Sequence, residues 1–178
     1  MEDLSLHILD IAENSIRAKA KRVKLWVIED LEKDLLSIEI EDDGIGMEAE
    51  TLKKALDPFF TTKGKKTGLG LSLLAQATRE AEGEFKIDSV QDIGTKVSAT
   101  FKHSHIDRKP LGNMAETLIA LICGNPDIDF FYCHKKEDLT YSLDTSKIKI
   151  KFSNIQDMLM VIRKDLKEDL KLKSYVRM

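Results

Sequence analysis

Three glycines, Gly64, Gly68 and Gly70, fall within the run KGKKTGLGLS at 63–72, and they decide where this part of the chain can be regular. Up to Gly68 the backbone is too permissive to hold a helix. From Leu69 onward, Leu71, Leu74, Ala75 and Thr78 recur at three- and four-residue spacings, so a helix starts where the glycines end. Such a start presents unpaired N–H groups and the positive end of a helix dipole, which favour an anion by roughly 0.3–1 kcal/mol. With Lys63, Lys65 and Lys66 beside it, the natural anion is a phosphate, although a plain surface turn ahead of a core helix has the same composition.

Around this run the hydrophobic spacing alternates between two periods. Asp3 suits an N-cap for a helix to about Lys19 whose apolar face is Leu4, Ile8, Ile11, Ala12 and Ile16. Two alternating segments follow at 22–28 and 35–41, joined by the charged EDLEKD turn. A short helix is expected over 48–56, ended by Pro58, and the glycine-led helix over 69–82, with Gly83 as its cap. Strands at 84–89 and 96–101 then pair about Gly94-Thr95. Two-residue alternation in the strands and one apolar stripe per helix predict an α+β fold, a two-layer sandwich with helices on one face of a mixed or antiparallel sheet.

A chain of 178 residues with 42% hydrophobic content can bury a sizeable core. Its net charge of −3 argues against nucleic acid as a partner held by bulk charge. Two cysteines make no disulfide framework, no apolar run reaches the length of a membrane span, and the acidic start lacks a signal-peptide pattern, so a cytoplasmic protein without membrane attachment is expected. His103, His105, Cys123, Cys133 and His134 match no zinc spacing. His7 is expected on the surface of the first helix.

Two further places carry polar chemistry. Asp10 and Asn14 lie one turn apart on the first helix, where a carboxylate beside a carboxamide can hold a hydrated Mg²⁺; a solvated helix face has the same pattern. The second strand runs into DDGIGM at 42–47, where Gly44 and Gly46 permit a tight turn and Asp42 can accept a hydrogen bond from an exocyclic amine such as that of adenine. An ordinary Asp-Gly turn is the alternative. Phe59 and Phe60, ahead of the KGKK segment, suit either core packing or the anchored end of a lid.

Taken together, EN at 13–14, DDGIGM at 42–47, DPFFTTK at 57–63, TGLGLS at 67–72 and DIGTKVSATF at 92–101 resemble the ATP-binding domain of the GHKL superfamily, in the version found in histidine kinases. The resemblance covers roughly residues 4–102. It implies ATP and Mg²⁺ as cofactors, with Asn14 on the metal, Asp42 on the adenine amine, Gly44 and Gly46 beside the base, and Thr95 supporting Asp42. It further implies that Lys63, Lys65 and Thr67 belong to a lid over the phosphates, and that Gly68, Leu69 and Gly70 offer N–H groups to them. Asp10 stands where the ATPase branch has its water-activating glutamate, one methylene shorter, and is the candidate general base. Two elements of that family are expected to be missing: the phosphoacceptor helix ahead of the domain and the usual first strand, which leaves a sheet edge in need of a partner.

Residues 106–178 fall outside the resemblance and are expected as an α+β extension to a nucleotide domain at 1–105. The spacings predict a helix over 114–123, a hairpin at 128–134 and 139–143, a strand at 148–152, and a helix over 155–172 docked on the sheet. One of the segments 128–134 and 148–152 is expected to supply the missing edge. The activity expected from all this is transfer of the ATP γ-phosphoryl to a separate protein. An ATP-gated binding module and a weak stand-alone ATPase are the alternatives. Oligomeric state is left open.

Overall fold

The computed structural model describes residues 2–55 and 69–175, with side chains described as far as Leu166. Its centre is one six-stranded sheet in the order β3-β4-β2-β1-β5-β6. The strands are β1 (Arg22–Asp30), β2 (Leu35–Asp42), β3 (Phe85–Val90), β4 (Gly94–Lys102), β5 (Asp129–Lys136) and β6 (Leu139–Asp144). All neighbours are antiparallel except β1 and β5, which run parallel. The sheet is therefore mixed, and the fold is α+β.

Two-residue alternation turns Val23, Leu25 and Val27 of β1, Leu36, Ile38 and Ile40 of β2, and Val97, Ala99 and Phe101 of β4 to one buried face. On that face lies α1 (Leu4–Arg17), whose Leu4, Ile8, Ile11 and Ala12 are buried and whose N-cap Asp3 accepts from the Leu6 N–H. Beside it lie α3 (Leu69–Glu80) and α4 (Met114–Gly124), both in contact with α1. The opposite face carries Lys24, Trp26, Glu39, Glu41 and Ser98, none of them fully buried. The helix α3 ends two residues before the expected point, and Glu82, at φ 52°, takes the left-handed position of its cap while Gly83 donates to the Thr78 carbonyl at 2.8 Å. The helix α2 (Ala49–Lys54) is short, and residues 56–68, including Pro58, lie outside the described residues.

The edge of β1 away from β2 is covered by β5, whose Asp129 to Lys136 pair with Arg22 to Glu29. This segment is the expected 128–134. The expected strand at 148–152 is instead α5 (Thr145–Lys149) and the turn after it, with Ile150 exposed. Asp144 explains the difference: its side chain accepts from the Ser146 N–H and hydroxyl and starts a helix directly after β6. The last helix, α6 (Ile155–Tyr175), buries Met158, Ile162 and Leu166 and packs mainly on α4 and α5 rather than on the strands, because α4 already covers the sheet there. Among the described residues no helix is long and apolar enough to cross a membrane.

At the end of the sheet away from Asp42, three groups converge on Glu29: His103 Nε2 at 2.9 Å, His134 Nε2 at 3.0 Å and Lys136 Nζ at 3.0 Å. Burial alone would raise the Glu29 carboxyl, but the hydrogen bonds from His134, His103 and Lys136 outweigh it and hold it far below the usual carboxylate range. Two histidines that match no zinc spacing thus serve one carboxylate. Cys123 and Cys133 are free thiols.

His7 departs from expectation, since it is only 2% exposed and neither ring nitrogen has a hydrogen-bond partner. The segment 108–112 runs beside the start of α1, the Leu4 and Ser5 N–H groups donating to the Pro110 and Leu111 carbonyls, and brings the Lys109 charge to bear on the ring. Burial, reinforced by the Lys109 charge, takes its pKa from 6.5 to about 4. A histidine depressed on folding favours the native state fully above its unfolded pKa, and that contribution is lost as pH falls from 6.5 toward about 4. The melting temperature is expected to fall across that window, and less steeply for His7→Leu; identical slopes in calorimetric scans would contradict it.

The shared sheet makes a second forecast. Removing residues 107–178 strips β5 from β1 and uncovers Val23, Leu25 and Val27, apolar surface worth ~25 cal/mol per Å². The remaining fragment is expected to melt early or aggregate. A fragment that stays monomeric with an unchanged melting temperature would instead mark residues 106–178 as an independent folding unit.

Candidate functional site

Three elements meet at the Asp42 end of the sheet. The helix α1 brings Asp10 and Asn14, one turn apart; Asp10 is half-buried and Asn14 exposed. Among the described residues the Asn14 carboxamide has no hydrogen-bond partner, which leaves its oxygen available to a hard cation. The first turn of α3 packs directly against α1: a side chain added at Gly70 would run into the Asp10 carboxylate. Glycine at 70 leaves room for the Asp10 carboxylate to lie against the helix start that Leu69 and Gly70 open, and a side chain there would push it aside.

Asp42 ends β2 and is held on both oxygens. Its Oδ2 accepts from the Ser15 hydroxyl at 2.6 Å and its Oδ1 from the Gly44 N–H at 2.9 Å. Asp43 turns away and accepts from the Lys21 and Arg22 N–H groups, both at 2.8 Å, which fixes the loop to the start of β1. The rest of DDGIGM is clamped from two sides, Ile45 donating to the Ala18 carbonyl at 2.9 Å and accepting from Asp92 at 2.7 Å. Gly46 sits at φ +62° against the Val90 carbonyl, where a side chain has neither the conformation nor the room.

Thr95 faces Asp42 across the β2–β4 register, and Ser89 faces Thr95 across β3–β4. The two hydroxyls are 2.8 Å apart, and Ser89 Oγ accepts from the Met47 N–H at 2.9 Å. A polar row therefore runs across three strands, Asp42, Thr95, Ser89, with Ser15 above one end. The described residues bring together Asp10, Asn14, Asp42, Gly44, Gly46, Leu69, Gly70 and Thr95. Lys63, Lys65, Thr67 and Gly68 lie outside the described residues. Sequence reading missed Ser15 and Ser89. Each is a hydroxyl on a core-facing position, Ser15 one turn after Ile11 and Ser89 in step with Phe85 and Ile87, and a polar residue in an apolar stripe was the available signal.

The family model for the histidine kinase-, DNA gyrase B-, and HSP90-like ATPase matches residues 2–105. Among curated proteins, the signal transduction histidine-protein kinase AtoS of Escherichia coli strain K12 is 36% identical over 95 residues, 53% of this chain and 15% of the kinase. Sporulation kinase E of Bacillus subtilis strain 168 is 35% identical over 88 residues, 49% of this chain and 12% of the kinase. The chain thus corresponds to a small part of those relatives. Among solved structures, the Aquifex aeolicus MutL ATPase domain complexed with ADP aligns with a TM-score of 0.60 at 16% identity, covering 92% of this chain and 70% of that one. That likeness supports the fold.

The contact between α1 and α3 yields a test. Gly70→Ala would ordinarily favour a helix by up to ~1 kcal/mol, but here it overpacks against Asp10, a cost of about 1–3 kcal/mol. Gly70→Ala is expected to lower the melting temperature, and Asp10→Ala in the same chain to restore most of the loss. Strictly additive losses in that double-mutant cycle would show that the two residues do not touch.

Proposed function

The chain belongs to the histidine kinase-, DNA gyrase B-, and HSP90-like ATPase family, and from that footing we propose that it binds Mg-ATP and transfers the γ-phosphoryl group to a side chain of a separate protein. The observation that carries the reading is Asp42: a carboxylate held on both oxygens by Ser15 and Gly44, at the end of a strand and beside a glycine loop, is an acceptor fixed in advance for an adenine amine. Asn14 has the donor chemistry for Mg²⁺, a hard cation that takes oxygen ligands and, when bound, neutralises phosphate charge. The start of α3, with Leu69 and Gly70, supplies N–H groups to the phosphates, and Lys63, Lys65, Thr67 and Gly68 are assigned to the same role as a lid. In the transfer a partner oxygen or nitrogen attacks the γ-phosphorus, ADP leaves, and Asp10 is the carboxylate proposed to receive the nucleophile's proton.

Transfer in trans is favoured because the described residues present no histidine at this end of the sheet. His103 and His134 are engaged with Glu29 at the far end, and His7 is buried. A cytoplasmic setting belongs to the same reading and is supported by the two free thiols. Slow hydrolysis, with Asp10 receiving the proton of a water, is the second reading, favoured by a half-buried carboxylate on the helix that also carries Asn14.

Incubation with γ-labelled ATP, Mg²⁺ and cell extract separates these. Label is expected on another protein; label released as inorganic phosphate would favour hydrolysis, and label remaining in ATP would leave a nucleotide-gated binding module. Asp42→Asn is expected to weaken ATP by roughly ten- to a hundredfold, from a charged hydrogen bond worth ~1.5–3 kcal/mol. Unchanged affinity by calorimetry would remove Asp42 from the base site.

A further inference from the structure

Two buried or half-buried hydroxyls, Ser15 and Ser89, lie on either side of the Asp42–Thr95 pair, and each has one proton to give. Ser15 is 3% exposed, and its possible acceptors are Asp42 Oδ2 at 2.6 Å and the Ile11 carbonyl at 3.4 Å. The shorter contact takes the proton. Asp42, already accepting from the Gly44 N–H, is thereby turned so that its remaining lone pairs have one direction in which to accept.

Ser89 governs the other side. Its oxygen accepts from the Met47 N–H, and its proton can go to the Gly94 carbonyl at 3.0 Å or to Thr95 Oγ1 at 2.8 Å. If it goes to Gly94, the Thr95 hydroxyl must spend its own proton on Ser89. If it goes to Thr95, the Thr95 proton is released to point at a ligand. The row then offers an acceptor at Asp42 and a donor at Thr95, directly opposite each other in register. A 6-aminopurine presents the complement, an amino donor beside the N1 acceptor. A 6-oxopurine presents the reverse, an oxygen acceptor beside an N1–H donor.

We infer that Ser15 and Ser89 are positioning residues that set the hydrogen-bond polarity of this row and so make the site select 6-aminopurine over 6-oxopurine nucleotides. The inference rests on the reading that a purine base sits against Asp42. Ser15 acts through Asp42 and Ser89 acts through Thr95, so neither needs to touch the base. A residue that served only to hold the loop in place would support both kinds of purine alike.

The experiment compares ATP with inosine triphosphate, which differs at position 6 and N1 alone, by calorimetry on the full chain with Mg²⁺. Ser15→Ala and Ser89→Ala are each expected to weaken ATP about three- to tenfold, the loss of one hydrogen bond, while leaving the weaker inosine nucleotide nearly unchanged, so that discrimination narrows. Ser89→Thr, which keeps the hydroxyl, is expected to restore it. Equal losses for both nucleotides, or no loss for ATP, would overturn the inference. Melting curves check the fold, and if Ser15→Ala unfolds, Ser15→Cys takes its place as a weaker donor with an intermediate ratio expected and a wild-type ratio counting against the role. Wild-type protein that binds neither nucleotide would overturn the ATP reading and this inference together. Wild-type protein that binds ATP and loses it with Asp42→Asn, but is indifferent to both serines, would overturn this inference alone.

Discussion

The parallel pairing of β1 with β5 is the interaction on which the rest of the molecule depends. A strand with core on one face and an unpaired edge leaves a row of N–H and C=O groups, each costing roughly 1–3 kcal/mol if buried without a partner. Residues 129–136 satisfy that row from about a hundred positions further along the chain. Two polar contacts pin the pairing at its ends: Arg22 to Asp144 at 3.0 Å near the Asp42 end, and the His134 and Lys136 bonds to Glu29 at the other. Arg22 is shared, because its N–H also holds Asp43 and thus the DDGIGM loop. The C-terminal strands and the DDGIGM loop are therefore fixed to the same residue of β1.

This arrangement gives the sheet two polar ends with different chemistry. At the far end, three donors saturate one carboxylate, and a buried charge is tolerable only when so satisfied. At the near end, Asp42 also has two internal partners but keeps lone pairs free, and among the described residues the Thr95 hydroxyl has one partner, Ser89 Oγ at 2.8 Å. A saturated cluster suits structure, and an unfinished one suits a ligand. Glu29 belongs to the first kind, and Asp42 has the open valences of the second.

What could be read in the sequence follows from where the governing forces are local. Alternation over β1, β2 and β4 and the stripe on α1 reflect burial against one core, so their faces were legible residue by residue. Residues 148–152 alternate as well, yet form α5 and a turn, because the cap at Asp144 turns the chain into a helix directly after β6. His7 was unreadable for a different reason: the helix start is tied to the distant segment 108–112, and such a long-range contact leaves no mark on the helix pattern. Asp10, Asn14, Asp42 and Gly70 stood out by motif. Ser15 and Ser89 did not, since what makes them matter is a partner across the sheet or between layers rather than a neighbour in sequence.

The same distinction bears on the choice between transfer and hydrolysis. A general base for water must hold that water in line with the γ-phosphorus while excluding other nucleophiles. Asp10 is a methylene shorter than the glutamate that the superfamily's hydrolytic branch carries there, and its carboxylate is seated against Gly70. The two facts work together: a short acid seated against the start of α3 reaches less far than a glutamate at the same position would. A protein side chain arrives at the phosphate with its orientation fixed by the rest of an interface, whereas a lone water must be oriented by Asp10 itself. A short Asp10 is thus better matched to the proposed transfer, in which the nucleophile brings its own positioning, than to the hydrolytic alternative.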